Sequence, residues 1–282
     1  MNNIHLQSHI ASLQNNRIKE VIKLSKRAKR DERQLTVIEG LREISRALAC
    51  GVVPVEGYIC PELITTPEAE ALCIALDQLA AEQQTHLFSV TPQVFAKLAY
   101  RGESGGLLLV IPYGQKKLDD LMLGKRPFIA VVENVEKPGN LGAILRTADG
   151  AGVDGLICCV SADSRGNTDV HNPNVIRASL GTLFSVPVVE TSTEETIQWL
   201  HKNSISIIAT MPESRQNYTA VDFTQSAAVV MGSEAHGLSP AWHTAAHDQV
   251  KIPMLGISDS LNLSTATALL LYEVVRQRLG HE

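Results

Sequence analysis

The chain is poor in aromatic residues: five Phe, five Tyr and two Trp amount to 4 % of its 282 positions. Its core must therefore be built mainly from Leu, Ile, Val and Ala. Cysteine is scarce as well, and Cys50, Cys60, Cys73, Cys158 and Cys159 include no C-x-x-C pair. Their placement in mostly apolar runs implies buried thiols in a reducing compartment, and excludes a disulfide framework or a zinc ribbon. No apolar run approaches the ~18 residues that a membrane-spanning helix needs. The opening MNNIHLQSHIASLQNN lacks the apolar stretch of a secretory signal, so the expected location is the cytoplasm. A large net charge is also missing. With 25 Lys/Arg against 30 Asp/Glu, the formal charge is −5, which argues against a generic nucleic-acid binder.

The charge is unevenly spread, however. Residues 1–46 carry ten basic residues (Arg17, Lys19, Lys23, Lys26, Arg27, Lys29, Arg30, Arg33, Arg42 and Arg46) against five acids, and the remainder carries 15 against 25. A basic front end on an acidic body implies a polyanion contact confined to that end, with Lys26, Arg27, Lys29 and Arg30 as candidates. A solvated helix face would carry the same charges.

Helix and strand signals alternate nearly throughout, an α/β pattern in a chain long enough for two domains. In the first part, Ile18 to Arg30 reads as one basic helix, and Glu39 to Cys50 as a second stopped by Gly51. Strands are expected at Val55 to Cys60, His86 to Val90 and Gly106 to Ile111. Helices are expected at Pro67 to Ala81 and from Pro92 to about Tyr100, the latter capped by Thr91. The polar stretch Pro112 to Pro127 marks a boundary, giving domains 1–115 and 116–282. The second part predicts strands at 128–133, 155–160, 186–190, 205–210, 227–231 and 249–252. Its helices fall near 140–151, 173–183, 193–202 and 261–279. Ala227–Met231 and Leu156–Val160 are apolar without alternation, as strands covered on both faces should be.

Two motifs can be set aside. Gly150-Ala-Gly152-Val-Asp-Gly155 fits G-x-G-x-x-G, but a helix precedes it and a strand follows. That order is the reverse of what a dinucleotide-binding turn requires, so a nicotinamide-dependent oxidoreductase is disfavoured and the glycines read as a helix stop and turn. His243 and His247 have a chelating spacing but no third ligand, which points to surface or packing roles.

Four other segments are harder to explain as packing. Lys137-Pro138-Gly139-Asn140 leads from a strand into a helix that carries Arg146, with Asn140 suited to an N-cap. Pro173 to Gly181 is a helix with small residues and Arg177. Gly232-Ser233-Glu234-Ala235-His236-Gly237-Leu238 puts a carboxylate just past a buried strand. Ile252 to Ser264 is a polar loop that opens the last helix. All are expected where strands end, the usual ligand-binding side of an open α/β sheet, and together they imply one composite pocket.

In order, N-x-G-A-I-x-R, G-S-E-x-x-G-L-S and I-P-M-x-G-x-x-x-S-L-N-x-S-x-A resemble the three signature motifs of the SpoU (TrmH-like) ribose 2′-O-methyltransferases of the SPOUT superfamily. The likeness spans about residues 128–279. The first part resembles more weakly the family's ribosomal-protein-like RNA-binding domain, through the basic helix, Glu39-Gly40 and Phe95-Ala-Lys97-Leu98. The resemblance implies an α/β domain with a deep trefoil knot, preceded by a small α/β RNA-binding domain. It also implies a homodimer whose site is completed across the interface. By position, Gly232, Ile252 and Leu261 would hold S-adenosylmethionine, with the backbone near Thr210 and Met211 adjoining its adenine. Arg146, Asn140, Glu234, Ser260 and Asn262 would do the chemistry, with helix capping as a competing or concurrent role for Ser260 and Asn262. Arg146 matches the family's proposed base; because arginine rarely loses its proton, it could instead remain charged and stabilise a developing alkoxide. The expected activity is 2′-O-methylation of structured RNA, ribosomal RNA ahead of tRNA. A non-catalytic RNA-binding relative is the other alternative.

Overall fold

The computed structural model describes residues 4–100, 104–162 and 169–280. They form two compact units: Met1–Gly114 with His171–Phe184, and Gln115–Val170 with Ser185–Glu282. Among the described residues no helix is long and apolar enough to cross a membrane.

The first unit runs β1 (Leu6–Ile10), α1 (Asn16–Lys23), α2 (Arg27–Arg33), β2 (Leu35–Glu39), α3 (Leu41–Ala49), β3 (Glu56–Ile59), α4 (Pro67–Ala81), β4 (His86–Val90), α5 (Pro92–Leu98) and β5 (Leu107–Pro112). Its mixed sheet has the order β1-β4-β3-β5-β2. Thr66 and Thr91 cap α4 and α5 from the positions before Pro67 and Pro92. Two strands escape the sequence reading. β1 lies at a sheet edge with only Ile10 buried, so it lacks an apolar signature. β2 is buried, but Gly40 at φ +94° separates it from α3, so the helix begins at Leu41 instead of Glu39.

The single basic helix expected over Ile18 to Arg30 is two helices with a break at Leu24–Lys26. Arg30 accounts for the break. It is only 1 % exposed, and its guanidinium donates to the carbonyls of Leu24 (2.7 Å) and Ser25 (3.0 Å). A helix end leaves such carbonyls without intrahelical partners, and this buried cation satisfies them.

The segment His171–Phe184, expected with the second part, folds with the first unit. Thr36 Oγ1 donates to the His171 carbonyl (2.7 Å), and Arg46 donates to that of Leu180 (2.7 Å). The His171 ring stacks on Tyr113 with centroids 4.0 Å apart, and burial pushes its pKa down to about 4. The expected helix 173–183 stops at Ala178, where Leu180 (φ +54°) and Gly181 (φ +83°) turn the chain.

The second unit runs β6 (Phe128–Glu133), α6 (Pro138–Ala151), β7 (Gly155–Val160), β8 (Val188–Ser192), α8 (Thr193–Lys202), β9 (Ser206–Thr210), β10 (Gln216–Asn217), β11 (Ala227–Met231), α9 (Pro240–Ala245), β12 (Asp248–Lys251) and α10 (Leu263–Leu279), with α7 (Pro173–Ala178) assigned to the first unit. Its sheet has the order β10-β12-β9-β11-β6-β7-β8, and every pairing is parallel. β11 lies between β9 and β6 and is buried along its whole length, which explains its unbroken apolar sequence. Gly152 ends α6 in the left-handed region, confirming the glycines there as a helix stop. α10 packs along α6, and Arg278 clasps its far end, donating to the carbonyls of Arg126, Pro127, Phe223 and Gln225.

Replacing Arg30 with methionine removes the donors of two otherwise orphaned carbonyls. The expected cost is about 2–3 kcal/mol in urea denaturation. Lys26→Met, at an exposed neighbour, should stay within about 0.5 kcal/mol. Equal effects of the two would refute the structural role of Arg30.

Candidate active site

Because the strands of the second sheet are parallel, their C-terminal ends lie on one side, and four of them deliver the site. β6 leads to Lys137 and α6, β9 ends at Thr210, β11 runs into Gly232, and β12 runs into Ile252. The turn after β11 is closed by reciprocal backbone bonds, Ser233 N–H to the Gly237 carbonyl (3.1 Å) and Gly237 N–H to that of Ser233 (3.0 Å). The closure is so tight that a Cβ on Gly232 would sit 2.2–2.4 Å from backbone atoms of Gly237 and Leu238. Only glycine fits there.

That turn presents Glu234. Its Oε1 accepts from Asn140 Nδ2 (2.9 Å) and Asn262 Nδ2 (2.7 Å), and its Oε2 pairs with the Lys137 ammonium. Asn262 Nδ2 also reaches Asn140 Oδ1 (3.2 Å). Residues from three distant stretches thus share one hydrogen-bonded cluster. The ammonium of Lys137, followed by the Asn140 amide, holds the Glu234 carboxyl below the usual carboxylate range. Asn262 also caps α10: its Oδ1 accepts from Ser264 N–H (3.0 Å) and from Ser264 Oγ (2.6 Å). The N-cap expected of Asn140 is corrected: α6 starts at Pro138 with Lys137 at the cap position, so Asn140 lies inside the first turn and its side chain is spent on Glu234.

A cavity of about 330 Å³ opens beside the cluster. Thr210, Gly232, Ile252, Ser260 and Leu261 all line it, together with Glu234. Met211 does not. Its side chain is 2 % exposed in the core and its N–H donates to the Val250 carbonyl (2.8 Å). Thr210 Oγ1 is buried and has no hydrogen-bond partner among the described residues, so the wall of this largely apolar cavity holds one unspent polar atom. Such a combination suits a ligand with apolar surface and a few polar anchors. A second cavity of about 180 Å³ is also lined by Glu234, together with Asn134, Glu136, Lys137, Asn140 and Ala235. Ser260 takes no part in the carboxylate cluster; its carbonyl accepts from Ser258 Oγ (2.8 Å).

Arg146 is exposed on α6, about two turns in, and lines neither cavity. The Pro173–Gly181 segment lines neither cavity. All residues lining the two cavities belong to the second unit, whereas α7 and its half-buried Arg177 pack on β2 in the first. Among the basic candidates, Lys26 and Arg27 are exposed and Lys29 is half-buried, with Arg27 near Asp31 (3.4 Å) and Lys29 paired to Glu32. Arg30 is withdrawn as a phosphate contact, because its guanidinium is buried on helix carbonyls. His247 is a packing residue: its Nδ1 accepts from Ile207 N–H (3.1 Å) and its ring meets His201 edge-on.

Sequence reasoning missed Lys137 and Glu133. Glu133 closes β6 at 0 % exposure and accepts from Ser239 N–H (2.7 Å), Ser239 Oγ (2.8 Å), Trp242 Nε1 (2.9 Å) and Thr193 Oγ1. A buried carboxylate is tolerated only when so satisfied. Through Ser239 this one anchors the far end of the turn that carries Glu234. Its position at the end of an apolar strand was the available signal.

A parallel α/β sheet with a carboxylate–diamide cluster and an apolar cavity at its strand ends defines an enzyme-type ligand site. Residues 127–272 match the sequence profile of the SpoU rRNA methylase family, and residues 15–108 match an MRM3-like substrate binding domain. The chain belongs to the SpoU rRNA methylase family. It is 32 % identical over 211 residues to the 23S rRNA (uridine(2479)-2′-O)-methyltransferase of Streptomyces viridochromogenes, covering 72 % of this chain and 71 % of that protein. It is 31 % identical over 274 residues to an uncharacterized tRNA/rRNA methyltransferase of Synechocystis, covering 95 % and 94 % of the two chains. The crystal structure of an AdoMet-bound rRNA methyltransferase from Sinorhizobium meliloti superimposes with a TM-score of 0.84 at 27 % identity, covering 96 % of this chain and 98 % of that one.

Proposed function

We propose that this chain methylates the 2′-hydroxyl of a ribose in structured RNA, using S-adenosylmethionine, and that the RNA is ribosomal. The observation that carries the reading is the Asn140–Glu234–Asn262 cluster set against the larger cavity. The residues present fit the cofactor. Gly232 lines the cavity from a turn too tight for any side chain, Thr210 Oγ1 is an unspent polar partner, and Ile252 and Leu261 supply apolar walls. Met211 would contribute only as core support beneath Thr210. When bound, S-adenosylmethionine supplies a methyl group on a positively charged sulfur. The preference for ribosomal RNA draws support from the substrate-binding match over residues 15–108 and from the 23S rRNA relative.

A ribose hydroxyl is a weak nucleophile until its proton leaves. Arg146 follows Asn140 by six positions, a rise of ~9 Å along α6, and its guanidinium is exposed to an incoming strand. It remains charged, holds an RNA phosphate and stabilises the developing alkoxide, while the hydroxyl proton passes to solvent water. Asn140 and Asn262, fixed by Glu234, orient the ribose, while Ser260 closes the cofactor side. Arg146→Ala should bind S-adenosylmethionine like the parent, measured by calorimetry, yet lose at least about 100-fold in single-turnover methyl transfer. Arg146→Lys should recover part of that loss if charge alone matters. Near-parental turnover by Arg146→Ala would refute the assignment.

Lys26, Arg27 and Lys29 form the RNA-facing surface of the first unit. Neutralising all three should flatten the salt dependence of RNA binding by roughly 0.7–0.9 in log–log slope per lost phosphate contact, without changing cofactor affinity. An unchanged slope would return them to a solvated helix face. The active species is a homodimer. Leu255 and Ile257, on the loop that lines the cofactor cavity, are 99 % and 101 % exposed, and Leu269 and Tyr272 on α10 are also uncovered. A second copy would cover this apolar surface. Sedimentation should give a dimer at assay concentration; a fully active monomer would contradict it.

A further inference from the structure

We propose that Lys137 is a positioning residue of this site, holding Glu234 as a carboxylate aimed at Asn140 and Asn262. The inference rests on the methyltransferase reading and deepens it. Lys137 occupies the cap position of α6 but makes no side-chain cap bond; its ammonium pairs instead with Glu234 Oε2. The pair is open to water, with Lys137 68 % and Glu234 27 % exposed at the side chain. Its effect is therefore one of orientation and ionisation, not of fold stability.

The cluster has a direction. Ser264 donates to Asn262 Oδ1, Asn262 Nδ2 donates to Asn140 Oδ1 and Glu234, and Asn140 Nδ2 donates to Glu234. Glu234 is the terminal acceptor. Asn262 cannot reverse its amide without losing the cap of α10. If Glu234 took up a proton, it would become a donor on one oxygen. A proton on Oε2 would face the Lys137 ammonium and break that pair, and a proton on Oε1 would face the amide N–H groups and force Asn140 to flip. The orientation of Asn140 thus depends on Glu234 remaining ionised, whereas that of Asn262 is also held by the cap of α10. The charged and titratable groups around it are Lys137 on α6, Glu136 beside it, His236 in the same turn and Asp259 on the wall of the larger cavity. Of these, Lys137 alone is a permanent cation in contact with the carboxylate. It is also the largest influence holding Glu234 below the ordinary carboxylate range.

The sign follows. A depressed carboxyl pKa keeps the site competent down to low pH, so removing Lys137 must raise the pH at which competence is lost. The test uses the full-length chain and two readouts: carbon-13 NMR titration of the Glu234 carboxyl, assigned with Glu234→Gln, and the pH profile of single-turnover methyl transfer. Lys137→Met should raise both midpoints by roughly 0.5–1 pH unit. It should lower kcat on the acid side with little change in KM for RNA or in S-adenosylmethionine affinity. Lys137→Arg should restore the parental midpoints. An unmoved Glu234 midpoint in Lys137→Met would overturn the proposal, as would a raised KM for RNA with an unmoved profile, which would mark a phosphate contact. A parent chain that shows the Glu234 shift and its loss in Lys137→Met, but transfers no methyl to any RNA, would overturn the methyltransferase reading while leaving the Lys137–Glu234 coupling standing.

Discussion

The hydrogen bonds converging on the Glu234 carboxylate are the constraint on which the site depends. They join the first turn of α6, the turn after β11 and the start of α10, which lie 94 and 28 residues apart along the chain as measured from Glu234. A carboxylate can accept from several donors at once and, while ionised, can donate to none. That one-way chemistry fixes which atoms of Asn140 and Asn262 remain to meet a substrate. The main-chain geometry beneath it is equally demanding. Gly232 brings two stretches of backbone closer than a side chain would allow, and Glu133 holds the other end of the same turn from inside the core.

The parallel sheet makes this convergence possible. With every strand pointing the same way, β6, β9, β11 and β12 release their loops on one side, and the apolar wall of the cavity is the rim of the core itself. Met231 and Leu263 belong to both, being buried and yet lining the cavity. The polar cluster and the apolar cavity then meet at Ser233, Glu234 and Leu263, which line both cavities.

Much of this was legible in the sequence where local chemistry decides structure. Central strands such as Ala227–Met231 read as doubly covered because they are, and Thr66-Pro67 and Thr91-Pro92 announced α4 and α5. The three motifs located the carboxylate and both asparagines. What stayed hidden was decided by tertiary contact. Arg30 looks like any other cation of a basic run, and only burial shows that it serves helix carbonyls. α7 follows a strand of the second unit but is held by Thr36, Arg46 and Tyr113 of the first, partners more than 100 residues away in the case of Thr36 and Arg46. Lys137 lies three residues before the first motif, and its pairing with Glu234 spans 97 residues and has no local signature.

The central claim is that this geometry delivers a methyl group to a ribose oxygen. It is tested most directly by incubating the protein with methyl-labelled S-adenosylmethionine and unmodified ribosomal RNA, digesting the RNA to nucleosides and identifying the labelled product. The account predicts that the label resides in a 2′-O-methylnucleoside from a single sequence position, and that a substrate carrying 2′-deoxyribose at that position takes up none. Label recovered on a base, or retained when the 2′-hydroxyl is absent, would contradict it.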